Sequence, residues 1–352
     1  MSASSAAALG RPPLQPPPYW MDPGAKAGTI GMKLLPGSAE ELSWMQEILD
    51  NTFKRKVTRD RKDGELLADR FVAVQCIRSE HPSLWDKFAE RRKQVADRCR
   101  TAATPAEFIV PKTSSACPSL AARCSHATVG NPANQAYLLH GTNPTSAVAI
   151  LGSSFHVDLA GKSAGTMFGP GVYLAESSTK ADEYARDDVG GEYDGLYAVL
   201  VCRVLLGRSF TATDPGDYVQ QVQSGNFESI LGDREKAVGT FREFIFFHEA
   251  AIYPEYAVFY RREKDGAILP PPVREDPPQM ETMAGAAAPG TVSPQPVSSP
   301  PPASSAATTQ LLQVQVPNPV PAQMQVQAPN GTILQVAVPP GTQPGAMLQV
   351  QY

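Results

Sequence analysis

The segment from Leu196 to Leu206 is apolar throughout except for Arg203. It is too short to cross a membrane and too rich in β-branched side chains for a helix face, so it predicts a strand buried on both sides. Such a strand needs a neighbour on each edge and a covering layer above and below. The chain supplies short apolar partners: Tyr137-Leu138-Leu139, Phe244 to His248, and Tyr256 to Tyr260, the last two joined across Pro254. Upstream, Phe71 to Ile77 reads as a further strand.

Proline marks where this core stops. The chain holds 34 prolines, and they crowd its two ends. Residues 1–30 are Ala/Ser-rich and then Pro-rich; they bury too little surface to offset their ordering entropy and predict a disordered tail. Tyr19 and Trp20 close that tail as a short anchor. Residues 31–265 suffice for one sizeable core. Residues 266–308, dominated by Pro, Ala and Ser, read as a disordered linker. In residues 309–352 an internal repeat appears: Leu312 to Pro317 recurs as Leu334 to Pro339, followed respectively by Met324 to Gln327 and Leu348 to Gln351. The period-two alternation predicts a small β-repeat whose strand edges suit self-association or partner binding.

Lys and Arg number 31 against 35 Asp and Glu, a net charge of −4 that gives no general affinity for nucleic acid, and no nucleic-acid module is visible. Five cysteines in a chain of this length suggest no disulfide framework. With no basic-then-apolar leader, they predict an intracellular protein, nuclear or cytoplasmic and not secreted. No run approaches the roughly 20 apolar residues of a membrane helix.

Ser38-Ala39-Glu40-Glu41 has the form of a capping box, with Leu42, Met45 and Leu49 following at helical spacing. Pro82 and Ser83 open a second helix whose stripe is Leu84, Trp85, Phe88 and Val95. Pro144 suits the first turn of another, and Ser177 or Ser178 caps one running through Tyr184 to about Asp187. Between the first helix and the first strand, Lys54 to Lys62 is basic. Asp60 interrupts that run, which favours a solvated loop over a nuclear-import signal. Cys117, Cys124 and His126 match no zinc spacing and lack a fourth ligand, so no metal site is expected.

Gly169-Pro170-Gly171-Val172-Tyr173-Leu174 imitates a dinucleotide fingerprint but has Leu in place of the third glycine and precedes a strand rather than a helix. A nicotinamide dinucleotide can instead be gripped by its carboxamide. One residue's backbone C=O and N–H satisfy that group if it comes close, which suits Gly141. His140 beside it can bond a ribose hydroxyl, and Tyr173 and Tyr184 can supply aromatic faces for the ring. Breaking the nicotinamide–ribose bond builds positive charge on the sugar, and Glu243, in an otherwise apolar strand, is a carboxylate that can meet it. The competing reading makes Glu243 a surface edge residue paired with Arg242.

From about Lys33 to Arg262 the chain resembles the catalytic domain of the poly(ADP-ribose) polymerase family, the diphtheria-toxin-like ADP-ribosyltransferases. The resemblance is carried by Leu139-His140-Gly141-Thr142, Met167-Phe168-Gly169-Pro170-Gly171-Val172-Tyr173, Ala175-Glu176 through Tyr184, Arg242-Glu243-Phe244-Ile245 and Tyr253-Pro254-Glu255-Tyr256. It implies an α+β fold with a split antiparallel β-sheet and flanking helices, in a member without the autoinhibitory helical domain. It also implies NAD as co-substrate and a catalytic triad of His140, Tyr173 and Glu243. Donor binding would fall to His140, Gly141, Thr142, Tyr173, Tyr184, Lys162 in a loop from Phe155 to Thr166, and Ser178. Arg208 to Thr240 would hold the acceptor-side loop. The sequence departs from the family at Ala181: many members place a serine there, bonding the carboxamide. Ser177, Ser178 or Thr179 would have to replace it, and weaker NAD affinity is expected.

The expected activity is NAD-dependent transfer of ADP-ribose, mono or poly, to protein acceptors including the enzyme itself. Two alternatives share the fold: a catalytically idle scaffold that binds NAD or ADP-ribose, and an NAD glycohydrolase with water as acceptor.

Overall fold

The computed structural model describes residues 16–21, 31–61, 67–102, 107–124, 131–157 and 167–270, and the backbone of four strands between residues 311 and 351. The chain divides into two units, Met1–Pro277 and Pro278–Tyr352.

The first unit is organised on one sheet, with strands β1 (Lys33–Pro36), β2 (Arg70–Glu80), β3 (Gln135–Thr142), β4 (Val172–Ala175), β5 (Tyr197–Leu205), β6 (Ser209–Ala212), β7 (Ser229–Asp233), β8 (Arg242–Phe246), β9 (Ile252–Lys264) and β10 (Ala267–Ile268). Their spatial order is β1-β2-β9-β5-β3-β4-β8-β7-β6, with β10 beside β9. The pairings are antiparallel except β6 with β7, which is parallel. The strand expected at Leu196–Leu206 is β5, buried along its length between β9 and β3. Its side chains alternate as the pleat requires: Ala198, Leu200, Cys202 and Val204 enter one core, Tyr197, Val199 and Val201 the other. Arg203 is tolerated because Glu255 meets it at 2.9 Å.

Glu255 owes its position to a bulge. Val201 faces Tyr256 and Cys202 faces Pro254, leaving Glu255 as the extra residue. Pro254 therefore does not lie in the connection between two strands, as the sequence suggested. It sits inside β9, at the one place where the ladder spares it.

Helix α1 (Ala39–Asn51) closes both bonds of its capping box between Ser38 and Glu41, at 3.0 and 3.1 Å. It lays Met45, Ile48 and Leu49 on the core reached by Val199. Helix α2 (Pro82–Thr101) starts on Pro82 and lays Trp85, Phe88 and Val95 on the opposite core, beside Ala147 and Leu151 of the helix Pro144–Ser153. Pro16–Met21 docks there too: Trp20 is buried against Trp85 and Tyr253, and Tyr19 bonds Glu255 at 2.6 Å.

The sheet is split where it matters. β3 and β4 share a single paired position, Leu139 with Ala175. One group of strands ends at β3, another begins at β4, and the site lies at that junction.

In the second unit the repeat strands pair in a nested way. Leu311–Gln315 lies antiparallel to Met347–Gln351, and Gln323–Gln327 antiparallel to Ile333–Ala337.

Candidate active site

β3 carries His140 past its last shared position with β4, so the imidazole stands where the two strands no longer pair. Its Nδ1 lies 2.9 Å from the carbonyl oxygen of Tyr173. A carbonyl only accepts, so Nδ1 carries the proton and Nε2 is left as an acceptor in the neutral ring. Burial pushes the His140 pKa down, with the bond to Tyr173 opposing, which favours that neutral form. Phe155 meets the imidazole edge-on with centroids 5.0 Å apart.

Tyr173 projects from β4 after a tight turn. Gly169 has φ of +110°, and a side chain at Gly171 would strike the Phe246 carbonyl of β8 at 2.7 Å. The Tyr173 hydroxyl is held on that turn, accepting from Phe168 N at 2.7 Å and donating to Gly169 O at 3.0 Å. The ring is thereby fixed as a wall.

The short helix Ser178–Asp182 packs under β3, and it explains Gly141 in a way the sequence did not suggest. A Cβ at Gly141 would lie 1.7 Å from the Ala181 carbonyl oxygen, so the glycine is required by the protein's own backbone. The helix ends at Asp182, short of the expected Asp187, and Tyr184 follows in a turn. Tyr184 is 42% exposed and donates its hydroxyl to Asp60 at 2.9 Å.

Lys180 was not singled out in the sequence, yet it is central here. Only 3% exposed, it places Nζ 2.5 Å from Asp60, 3.1 Å from Glu183 and 3.5 Å from Glu243. Burial raises the Glu243 pKa; Lys180 opposes this, and the Asp60 and Glu183 carboxylates add to it. Arg242 is not the partner of Glu243: it forms a bidentate pair with Glu176, at 2.8 and 2.5 Å. In the run Lys54–Lys62, expected as a solvated loop, Arg55, Lys56 and Arg59 are exposed, whereas Arg61 is buried against Asp182 at 2.9 Å.

His140, Gly141, Thr142, Tyr173, Lys180, Ala181, Tyr184 and Glu243 all line one cavity of about 680 Å³, a size typical of small-molecule sites. Ser178 does not line it: its hydroxyl donates to Leu49 O at 2.8 Å. Ser177 Oγ likewise donates to Thr52 O, and Thr179 Oγ1 accepts from Lys54 N. None of the three residues lines the cavity, so none of their hydroxyls stands in for a serine at Ala181. Lys162 and His126 lie outside the described residues. Cys117 donates to Glu47 instead of joining a ligand set, and among the described residues no group of His, Cys, Asp and Glu is placed to hold a metal. Nor is any described helix long and apolar enough to cross a membrane.

The profile of the "Poly(ADP-ribose) polymerase catalytic domain" family matches residues 70–262, more than half of the chain. A poly(ADP-ribose) polymerase tankyrase of Caenorhabditis elegans is 38% identical over 112 residues, 30% of this chain and 5% of that protein. A probable poly(ADP-ribose) polymerase of Dictyostelium discoideum is 23% identical over 200 residues, 57% of this chain and 48% of that protein. The chain thus spans less than half the length of either relative.

Proposed function

The chain belongs to the poly(ADP-ribose) polymerase catalytic-domain family, and from that premise we propose that it cleaves the nicotinamide–ribose bond of NAD and transfers the ADP-ribose, singly or as a growing chain, to protein acceptors including itself. The observation that carries this reading is the convergence of His140, Tyr173, Tyr184 and Glu243 on one cavity at the split of the sheet.

In that cavity Tyr173 and Tyr184 offer aromatic faces to the nicotinamide, and the backbone of Gly141 grips its carboxamide. His140, with Nδ1 committed to Tyr173, accepts a ribose hydroxyl on Nε2. When the glycosidic bond breaks, its electron pair leaves with nicotinamide and positive charge grows on the ribose. The Glu243 carboxylate stabilises that charge and takes the proton of the incoming acceptor as the new bond to C1′ forms. The protein works intracellularly on this reading, in keeping with its five free cysteines. Its C-terminal strands supply edges for self-association or for a partner.

Ala181 favours a second reading. The cavity wall carries a methyl group where a hydroxyl would bond the carboxamide, and the adjacent Ser177, Ser178 and Thr179 do not line the cavity. A weak donor grip suits a scaffold that binds NAD or ADP-ribose without turnover. Intact mass spectrometry of the full chain after incubation with NAD separates the cases. One ADP-ribose increment indicates mono transfer and a ladder indicates poly transfer. Free ADP-ribose with unmodified protein indicates hydrolysis, and bound NAD without product indicates the scaffold.

A further inference from the structure

The segment Phe53–Arg61 precedes the span matched by the family profile, yet it forms one side of the cluster behind the cavity. Four of its residues engage the stretch from Thr179 to Tyr184. Lys54 N donates to Thr179 Oγ1 at 2.9 Å, Thr58 Oγ1 to both oxygens of Glu183 at 2.9 Å, and Arg61 to Asp182. Asp60 makes the pivotal contact: a single oxygen, Oδ2, accepts from Lys180 Nζ at 2.5 Å and from the Tyr184 hydroxyl at 2.9 Å.

We propose that Asp60 is a positioning residue of the donor site, delivered by a strap outside the span that the family profile matches, which holds the Tyr184 ring and draws Lys180 away from Glu243. The inference rests on the donor-site reading given above. Tyr184 is half exposed, so packing alone does not fix its ring; the tether to Asp60 and the Lys180 ammonium, 5.0 Å from the ring centroid, do. Lys180 is shared among Asp60 at 2.5 Å, Glu183 at 3.1 Å and Glu243 at 3.5 Å. With Asp60 neutralised, the ammonium is free to close on Glu243 and tie up the carboxylate that faces the ribose. The groups facing Glu243 are Lys180, Asp60 and Glu183, with the hydroxyls of Tyr173 and Tyr184 nearby. Removing the Asp60 charge takes away a like charge and makes Glu243 easier to ionise.

The test compares full-length wild type, Asp60→Asn, Asp60→Glu and Thr58→Ala. NAD turnover is followed across pH, and NAD binding is measured separately by calorimetry. Asp60→Asn is expected to raise KM and the calorimetric Kd for NAD about tenfold, the scale of one charge-assisted hydrogen bond. It should also move the acidic limb of the kcat profile to lower pH. Asp60→Glu restores both in part. Thr58→Ala loosens the strap but keeps the charge, and leaves the limb in place. If wild type turns NAD over and Asp60→Asn matches it in KM, Kd and pH profile, the inference is wrong while the donor-site reading stands. The inference is equally wrong if Asp60→Asn and Thr58→Ala lose activity to the same extent with no movement of the limb. Wild type that neither binds nor cleaves NAD overturns both.

Discussion

The Nζ of Lys180 lies 3.5 Å from Oε1 of Glu243, and among the described residues it is the cation that meets this carboxylate. The pair is unequal, because Lys180 is closer to Asp60 and to Glu183 than to Glu243. Burial raises the Glu243 pKa above its ordinary 4.5, Lys180 counters only part of that, and two nearby carboxylates reinforce it. Glu243 acts as a carboxylate, so activity should rise as pH climbs through its folded pKa. The acidic limb of a kcat–pH profile is therefore predicted above pH 4.5. The linkage has the matching sign: keeping Glu243 ionised weakens the fold above its folded pKa, and this is relieved as pH falls toward 4.5. A limb at or below 4.5 would contradict the environment described.

Gly141→Ala places a methyl 1.7 Å from the backbone oxygen of Ala181 and 3.2 Å from Ala185 N. Neither is a flexible side-chain end, so β3 must shift. Overpacking of this kind costs about 3 kcal/mol, which lowers Tm by roughly 6–12 °C for a domain of this size. Thermal unfolding measures the loss, and NAD binding should weaken with it.

Ala181→Ser returns a hydroxyl to the cavity wall beside Gly141. A net hydrogen bond of about 1 kcal/mol corresponds to a KM for NAD lower by roughly fivefold. An unchanged KM would show that the missing hydroxyl is not what limits the donor grip.

Trp20→Ala removes an indole that is 5% exposed and packed on Trp85 and Tyr253. It lies in the core opposite α1 and does not line the cavity. The expected cost is about 3 kcal/mol, a fall in Tm of roughly 6–12 °C, with kcat unchanged well below the melting transition. A drop in kcat at equal folded fraction would instead tie this anchor to the site.

What could be read in advance depended on whether the deciding interactions were local. β5 was legible because its apolar run leaves no other structure. The start of α1 was legible because Ser38 and Glu41 cap each other three residues apart. The strand that carries His140-Gly141 was legible for a similar reason, since its apolar residues Tyr137, Leu138 and Leu139 are contiguous. Lys180 was not, for Ser-Ser-Thr-Lys-Ala-Asp reads only as a capped helix start and says nothing of where the lysine points. It is buried only because Asp60 and Glu243 arrive from distant parts of the chain. The Lys54–Lys62 run was legible as a loop, and Arg55, Lys56 and Arg59 are exposed in it; what could not be read is that Arg61 is buried on Asp182 and that Thr58 bonds Glu183, both from a distant part of the chain. Ser178 looked like a donor ligand by position, but its hydroxyl serves the Leu49 carbonyl of α1. Gly141 lines the cavity, and the reason for its missing side chain was visible only once Ala181 lay beneath it.

Nicotinamide release from NAD by the full chain, wild type against Glu243→Gln, tests the central claim most directly. The substitution keeps the shape of the side chain and removes the charge that faces the ribose. Wild type should release nicotinamide, and Glu243→Gln should do so about 100- to 1,000-fold more slowly with a KM within a few-fold of wild type. Release by Glu243→Gln at the wild-type rate, or none from wild type, would contradict it.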